Sequence, residues 1–166
     1  SQYIPEEGCI FVDGGTTTEF LGEFLRNRPQ LMVVTNSLSL ASRIGESSTP
    51  LFFLSGRVRP TTLSAVGSKT VDDLMTYKAQ IAFLGANGID MQSGFTTVDP
   101  DEAAVKRMMI QNATETIVLA DNSKFGASYS ALFAGFENID RLVTDVDADP
   151  AHVEALIEKG IEVVLA

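Results

Sequence analysis

The sequence holds one cysteine, one histidine and only 12 lysines and arginines against 22 aspartates and glutamates. Each shortage excludes something. The formal net charge of −10 argues against a surface that grips nucleic acid unaided, because phosphate binding needs clustered cations. The lone thiol, Cys9, has no partner for an internal disulfide and no metal-ligand company, so it is expected in the core, a usage that fits a reducing cytoplasm. His152 sits in "DPAHVEAL" at an expected helix start and is read as an exposed helix residue, which argues against a Ser-His-Asp system. No His/Cys cluster offers a zinc site, and no cofactor motif stands out. No stretch approaches the roughly 18 to 20 unbroken apolar residues of a membrane span, and no cleavable secretory signal is present.

What is there is the composition of an ordinary globule: 166 residues, 45% hydrophobic and 20% charged. No internal repeat, low-complexity tract or linker divides it, so one domain is expected over residues 1–166. The opening "SQYIPEEG" lacks an initiator Met and runs through a Pro/Gly turn directly into a strand. A piece cut from a longer protein is the expectation.

Short apolar runs with little alternation recur with helical segments between them, which predicts an α/β domain with a largely parallel sheet. Strands are expected at 9–13, 31–35, 51–55, 80–85, 116–121, 141–145 and 161–165. The stretches "GRVRPTTLSAVG" and "GFTTV" are either extra strands or ordered loops. Phe20, Leu21, Phe24 and Leu25 form one apolar stripe at helical spacing. Asp99-Pro100-Asp101-Glu102 reads as an N-cap, a Pro at N1 and a capping-box acid, followed by Val105, Met108 and Met109. Asp149-Pro150 repeats the device ahead of Val153, Leu156 and Ile157, with Lys159 in the last turn and Gly160 as the stop. A further helix starts near Ser68.

In an open parallel sheet, ligands bind beyond the carboxyl ends of the strands. At the first such end, "FVDGGTTT" supplies Asp13, two glycines that allow close approach, and Thr16, Thr17 and Thr18 entering a helix. Helical first-turn amides attract phosphate. The stretch is therefore either an anion cradle of Gly15 and the threonines, or a plain Gly turn with a helix cap. The other strand ends carry Asn36 and Ser37, then Gly56 and Arg57, then Asn87 and Gly88, then Asp121 and Lys124. Each alone is an ordinary turn, but together they suit a polyol phosphate, with amides and a cation on the phosphate and Asp or Asn on hydroxyls. Lys106 is either a second cation facing this rim or a solvated lysine. The stretch "SALFAGF" at 130–136 is apolar for a loop and is expected to be a lid or a subunit contact.

In this order and spacing, "FVDGGTTT", "VVTNSL", "FLGANGID", "GFTTVDPDEAAVKRMMI" and "LADNSKFG" resemble the C-terminal effector-binding domain of DeoR-type bacterial transcription regulators. The resemblance runs from about residue 8 to the end. It implies a Rossmann-like open, mostly parallel sheet with helices on both faces, of the ribose-5-phosphate isomerase/CoA-transferase type. It further implies a phosphorylated sugar effector, a winged helix-turn-helix upstream that meets operator DNA, and a homo-oligomer. By the resemblance, Gly15, Thr16, Thr17 and Thr18 hold the phosphate with Lys124 as counter-charge, while Asp13, Asn36, Gly56, Arg57, Asn87 and Gly88 line the sugar end. Ribose-5-phosphate isomerases offer an enzyme alternative. Set against this sequence, their two acting aspartates fall on Gly85 and Gly88, their turn lysine on Asp99 and their helix glutamate on Met108. Glycine and methionine move no protons, so binding without catalysis is expected. The rivals are an isomerase-like enzyme using Asp90 or Asp121 with Lys124, and a sugar-phosphate binding protein with no DNA partner.

Overall fold

The computed structural model describes residues 2–166. In chain order the strands are β1 (Gly8–Val12), β2 (Leu31–Thr35), β3 (Leu51–Phe53), β4 (Arg57–Arg59), β5 (Ser64–Val66), β6 (Ala79–Gly85), β7 (Gly88–Asp90), β8 (Gly94–Thr97), β9 (Ala113–Leu119), β10 (Ala131–Ala134), β11 (Arg141–Thr144) and β12 (Glu162–Leu165). The helices are α1 (Thr16–Glu19), α2 (Gly22–Leu25), α3 (Leu38–Ile44), α4 (Ser68–Leu74), α5 (Pro100–Gln111) and α6 (Pro150–Glu158).

The seven strands expected from the apolar runs form one sheet in the order β12-β11-β9-β6-β1-β2-β3, every pair parallel. From β1 the chain winds outward through β2 to β3. It then returns to β6 on the other side of β1 and winds the opposite way. The direction reverses between β1 and β6, which is where such sheets open a crevice for ligands.

Alternate residues of each strand supply the two faces. Phe11, Val34, Leu84, Val118 and Leu142 join Leu74 of α4, Met109 of α5 and Leu156 of α6 in one core. Ile10, Val12, Val33 and Ile117 join Leu25, Leu40 and Ile44 of α2 and α3 in the other. The first face is covered along its length. On the second, α1 to α3 lie beneath the β1–β3 end, and the β9–β11–β12 end stands open as a groove.

The open questions of the sequence resolve as strands. "GRVRPTTLSAVG" is the antiparallel hairpin β4–β5, and "GFTTV" holds β8. "SALFAGF", expected as a lid or subunit contact, instead supplies β10, which pairs with β8 in a small sheet of order β10-β8-β7. Its Phe133 is buried against Phe95, ring centroids 6.3 Å apart, so the apolar run serves the interior. His152 is half-buried rather than exposed, stacked on Phe125 at 5.2 Å. The stripe at 20–25 forms two short helical turns. Leu21 and Leu25 face the core, whereas Phe20 and Phe24 wall the open groove.

Candidate functional site

The crossover between β1 and β6 is held by charge. Asp13 ends β1, and its carboxylate accepts from the ammonium of Lys106, which comes from the middle of α5 and also donates to Gly85 O at 2.8 Å. Both side chains are 5% exposed, so this is an ion pair taken out of water. Burial raises the Asp13 carboxyl above its ordinary range, while the Lys106 ammonium and the Gly85 amide draw it back towards ionisation. Such a pair forms only where every lone pair and proton finds a partner, because each charge alone is expensive to desolvate. The Lys106 ammonium also lies 5.2 Å above the ring of Phe133.

A second polar cluster continues from the first. Glu102, one helical turn before Lys106, accepts from Arg59 of the β4–β5 hairpin and from Thr62 at 2.9 Å. Thr97 Oγ1 lies 3.1 Å from Glu102 and 2.7 Å from Asn87 Oδ1. Arg59 also pairs with Asp99 at 3.4 Å. The hairpin is thus tied by its inner arginine to the start of α5, and it closes over the end of β1. A side chain on Gly14 would collide there with Ser64. The glycine is required by this contact between backbone and hairpin.

The residues singled out from the sequence divide into three groups. Asp13, Gly15, Thr16, Thr17, Thr18, Asn87, Gly88 and Lys106 belong to the crossover and the segments bordering it. Within this group Thr18 is buried and its hydroxyl lies 2.7 Å from Asp13 O and 2.8 Å from Gly15 O, so it fastens the turn. Lys106 is buried and paired, not solvated. Thr16 is exposed, and Thr17 is half-buried with its side chain at the open groove.

The second group secures the β2 end. Asn36 accepts from Gly14 N at 2.9 Å and donates to Ala65 O at 3.1 Å, while Ser37 caps α3 by accepting from Leu40 N. The third group lies further out. Gly56, at φ +141°, and Arg57 border a cavity of about 370 Å³ with Lys69, and Arg57 pairs with Asp101 at 3.0 Å. Asp121 caps the turn after β9 by accepting from Ser123 N, with the Lys124 ammonium 3.8 Å away. The Ser123 hydroxyl, then burial, are the leading influences on the Asp121 carboxyl, and the net shift is downward.

Sequence reasoning noted Arg59 as a loop cation beside Arg57 and Glu102 as a capping acid, but it missed their pairing and missed Thr97 altogether. Glu102 was expected to be a capping-box acid, but its side chain turns inward to Arg59, and Asp99 alone caps the helix, accepting from Asp101 N and Glu102 N. A signal was present. Glu102 and Lys106 share the i, i+3, i+4, i+7 face of Val105 and Met109, which places both charges on the buried side of α5. Among the described residues, no three His, Cys, Asp or Glu side chains gather as metal ligands would, and no helix is long and apolar enough to cross a membrane.

A doubly wound parallel sheet with a fully partnered polar cluster at its reversal point defines a class of α/β domains that take a small polar ligand at the strand ends. A family model described as the DeoR C terminal sensor domain matches residues 1–146. FruR of Bacillus subtilis, named as an uncharacterized HTH-type transcriptional regulator, is 36% identical over 143 residues, 86% of this chain and 57% of its own length. The HTH-type transcriptional regulator GlpR of Haloferax volcanii is 32% identical over 161 residues, 97% of this chain and 63% of its own. The glycerol-3-phosphate regulon repressor of Escherichia coli is 26% identical over 166 residues, 99% of this chain and 66% of its own. This chain belongs to the family of DeoR C-terminal sensor domains, and it spans less than two thirds of the length of these relatives.

The fold likeness reaches further. Ribose 5-phosphate isomerase from Plasmodium falciparum superposes with a TM-score of 0.51 at 14% identity, covering 75% of this chain and 47% of that one. Ribose 5-phosphate isomerase A from Methanocaldococcus jannaschii gives 0.50 at 19% identity, covering 75% and 49%. The sheet is therefore ribose-5-phosphate isomerase-like in fold.

Proposed function

We propose that this chain is the effector-sensing part of a longer, cytoplasmic and oligomeric transcriptional regulator, and that its effector is a phosphorylated sugar or polyol bound at the β1–β6 crossover. DNA is contacted by a separate helix-turn-helix region upstream, since a net charge of −10 here repels a DNA backbone. The observation that carries this reading is the buried Asp13–Lys106 pair at the reversal point, beside the Gly14-Gly15 turn that leads into α1. The pair fixes the turn rigidly, so the amides entering α1 and the hydroxyls of Thr16 and Thr17 are organised for a phosphate before it arrives. On this reading the exposed Asn87 meets sugar hydroxyls and Lys124 supplies counter-charge, while Asp13, buried in its pair with Lys106, holds the turn rather than the ligand. The name of one relative, the glycerol-3-phosphate regulon repressor, agrees with a phosphorylated polyol as effector.

The domain binds without turning its ligand over on this reading. One observation favours the rival: Asp13, Lys106 and Glu102 bring two carboxyl groups and an ammonium to the crossover, the group types an isomerase uses. A thermal-shift panel of sugar phosphates and their unphosphorylated partners, run beside an assay for product, separates the two. A shift with one phosphorylated compound, absent with the bare sugar and without turnover, is the expected outcome. A ligand at a hundredfold excess over its dissociation constant adds about 2.7 kcal/mol of apparent stability. Conversion of the compound establishes the enzyme instead. A shift that survives both Thr16→Glu and Thr17→Glu removes the phosphate from the α1 turn.

A further inference from the structure

Apart from Thr17 and Asp121 at one end, the open end of the second sheet face has no role in the fold as described or in the crossover site. Strands in an all-parallel sheet carry apolar side chains on both faces, so both are covered in a stable domain. Here the first face has α4, α5 and α6, and the second has α1 to α3 beneath β1–β3. What remains is a groove of about 610 Å³ floored by Ile117, Leu119, Val143 and Val164 and walled by Phe20 and Phe24. Phe20 is 69% exposed and Phe24 47%, although helical turns of a folded core hold both. At one margin lies Thr144, 3% exposed, whose hydroxyl has no hydrogen-bond partner among the described residues.

We propose that this groove is the seat of an amphipathic helix supplied by the segment immediately preceding residue 1 in the longer protein, an inference that rests on the regulator reading above. The path of the chain is the first reason. Gln2, Tyr3 and Ile4 line the groove, and the ring of Tyr3 lies 4.1 Å from the guanidinium of Arg141, the first residue of β11. From Gln2 onward the chain therefore reaches β1 from the foot of the groove.

Length is the second reason. The matching family model is a C-terminal one, and the relatives extend well beyond the matched region, so the additional chain lies upstream. A strand such as β9, with 7 residues, is about 23 Å long at 3.3 Å per residue. A helix of about 15 residues spans that distance at 1.5 Å per residue.

Charge is the third. Among the described residues, the charged side chains lining the groove are Asp121 and Asp145, at the end remote from Arg141. A helix descending from there to Gln2 sets its N-terminus beside these two carboxylates, the favourable sense for its dipole. A second copy of this chain, with its net charge of −10, offers them no such complement. The same remote end carries Thr17 beside Asp121, so the seated helix touches the rim of the crossover site and links it to whatever lies upstream.

The test uses the full-length protein in a Cys9→Ala background. Val143→Cys is paired with a single cysteine placed at successive positions before residue 1, and disulfide formation is followed on denaturing gels. The expected result is cross-linking within one chain, recurring every three to four positions. Cross-links only between chains assign the groove to a second copy and overturn the proposal. The absence of any cross-link from Val143→Cys, repeated with Leu119→Cys in case the first variant is misfolded, overturns it as well. The effector-induced thermal shift of the same proteins, kept reduced, is read separately. A shift without cross-links removes the helix seat alone, and cross-links without a shift in any compound remove the effector reading alone.

Discussion

Helices α5 and α6 open with the same device and end in different company. Asp99 caps α5 by accepting from the amides of Asp101 and Glu102, and Asp149 caps α6 by accepting from Ala151 N. Both place a proline at the start. Yet α6 buries only Leu156, whereas α5 buries Glu102 and Lys106 along with Ala103, Val105 and Met109. The difference is one of position. α6 packs near the β12 edge of the sheet, where an apolar contact suffices. α5 meets β5, β6, β8 and β9 around the crossover, where the ends of parallel strands leave carbonyls, amides and a carboxylate that only charged partners satisfy. Capping chemistry sets where a helix begins, and the docking position sets what its inner face must carry.

The largest expected effect sharpens that contrast. Lys106→Ala leaves the Asp13 carboxylate buried without its counter-ion and should cost about 3–5 kcal/mol in urea denaturation. The double replacement Asp13→Asn/Lys106→Met should regain a good part of it. At the C-cap of α6, the ammonium of Lys159 lies over the ring of Phe136 at 4.3 Å from an exposed position, and Lys159→Ala should change stability by about 0.5 kcal/mol or less. Equal losses from the two lysines would break the comparison.

Glu102→Ala ranks next. It strands Arg59 and Thr62 at the hairpin and should cost about 1–3 kcal/mol by the same measurement. The caps follow. Asp99→Ala removes two amide bonds and an ion pair with Arg59, and should destabilise by about 1–2 kcal/mol. Asp149→Ala removes one amide bond and should destabilise by about 0.5–1 kcal/mol. Reversal of that order would show that the hairpin contributes nothing to α5.

The smallest effect concerns Cys9, in β1 on the same face as α5, where burial raises the thiol from 9.0 to about 11. Alkylation at pH 8 should run roughly a hundredfold slower than for a free cysteine. Because the folded value lies above the unfolded one, the contribution of the thiol to stability is complete below pH 9 and lost as the pH climbs towards 11. The stability of the wild type relative to Cys9→Ala should therefore fall across that interval, and a flat difference would place the thiol in solvent.

Much of this architecture was legible in the residues. All seven sheet strands fall where the apolar runs stood, to within a few residues at either end, because strands buried on both faces carry uninterrupted apolar sequence. The DeoR resemblance was legible too, in five ordered motifs rather than in any one of them. Lys106 was legible only in part. The sequence offered it as a rim-facing cation or a solvated lysine, and its place on the helix face of Val105 and Met109 signalled burial, but nothing local pointed to its partner Asp13, 93 residues away. Glu102 was hidden by a better-known role, since an acid three residues into a helix ordinarily belongs to a capping box. The stripe at Phe20 and Phe24 signalled burial correctly in chemistry but not in place, because those rings face a groove and not the core.

The separation of Asp13 and Lys106, 93 residues in sequence, also bears on how the protein is made. β1 is the first strand of this domain to be synthesised and lies in the middle of the finished sheet. It can pair early with β2, but its other edge stays bare until residues 79–85 are synthesised as β6, and its terminal carboxylate stays uncompensated until α5 follows. An unpaired apolar edge on a nascent chain invites association with other chains, and closure over long sequence distances is slow. The polar cluster at the crossover is thus assembled from segments made far apart, and it is completed only once α5 has been synthesised.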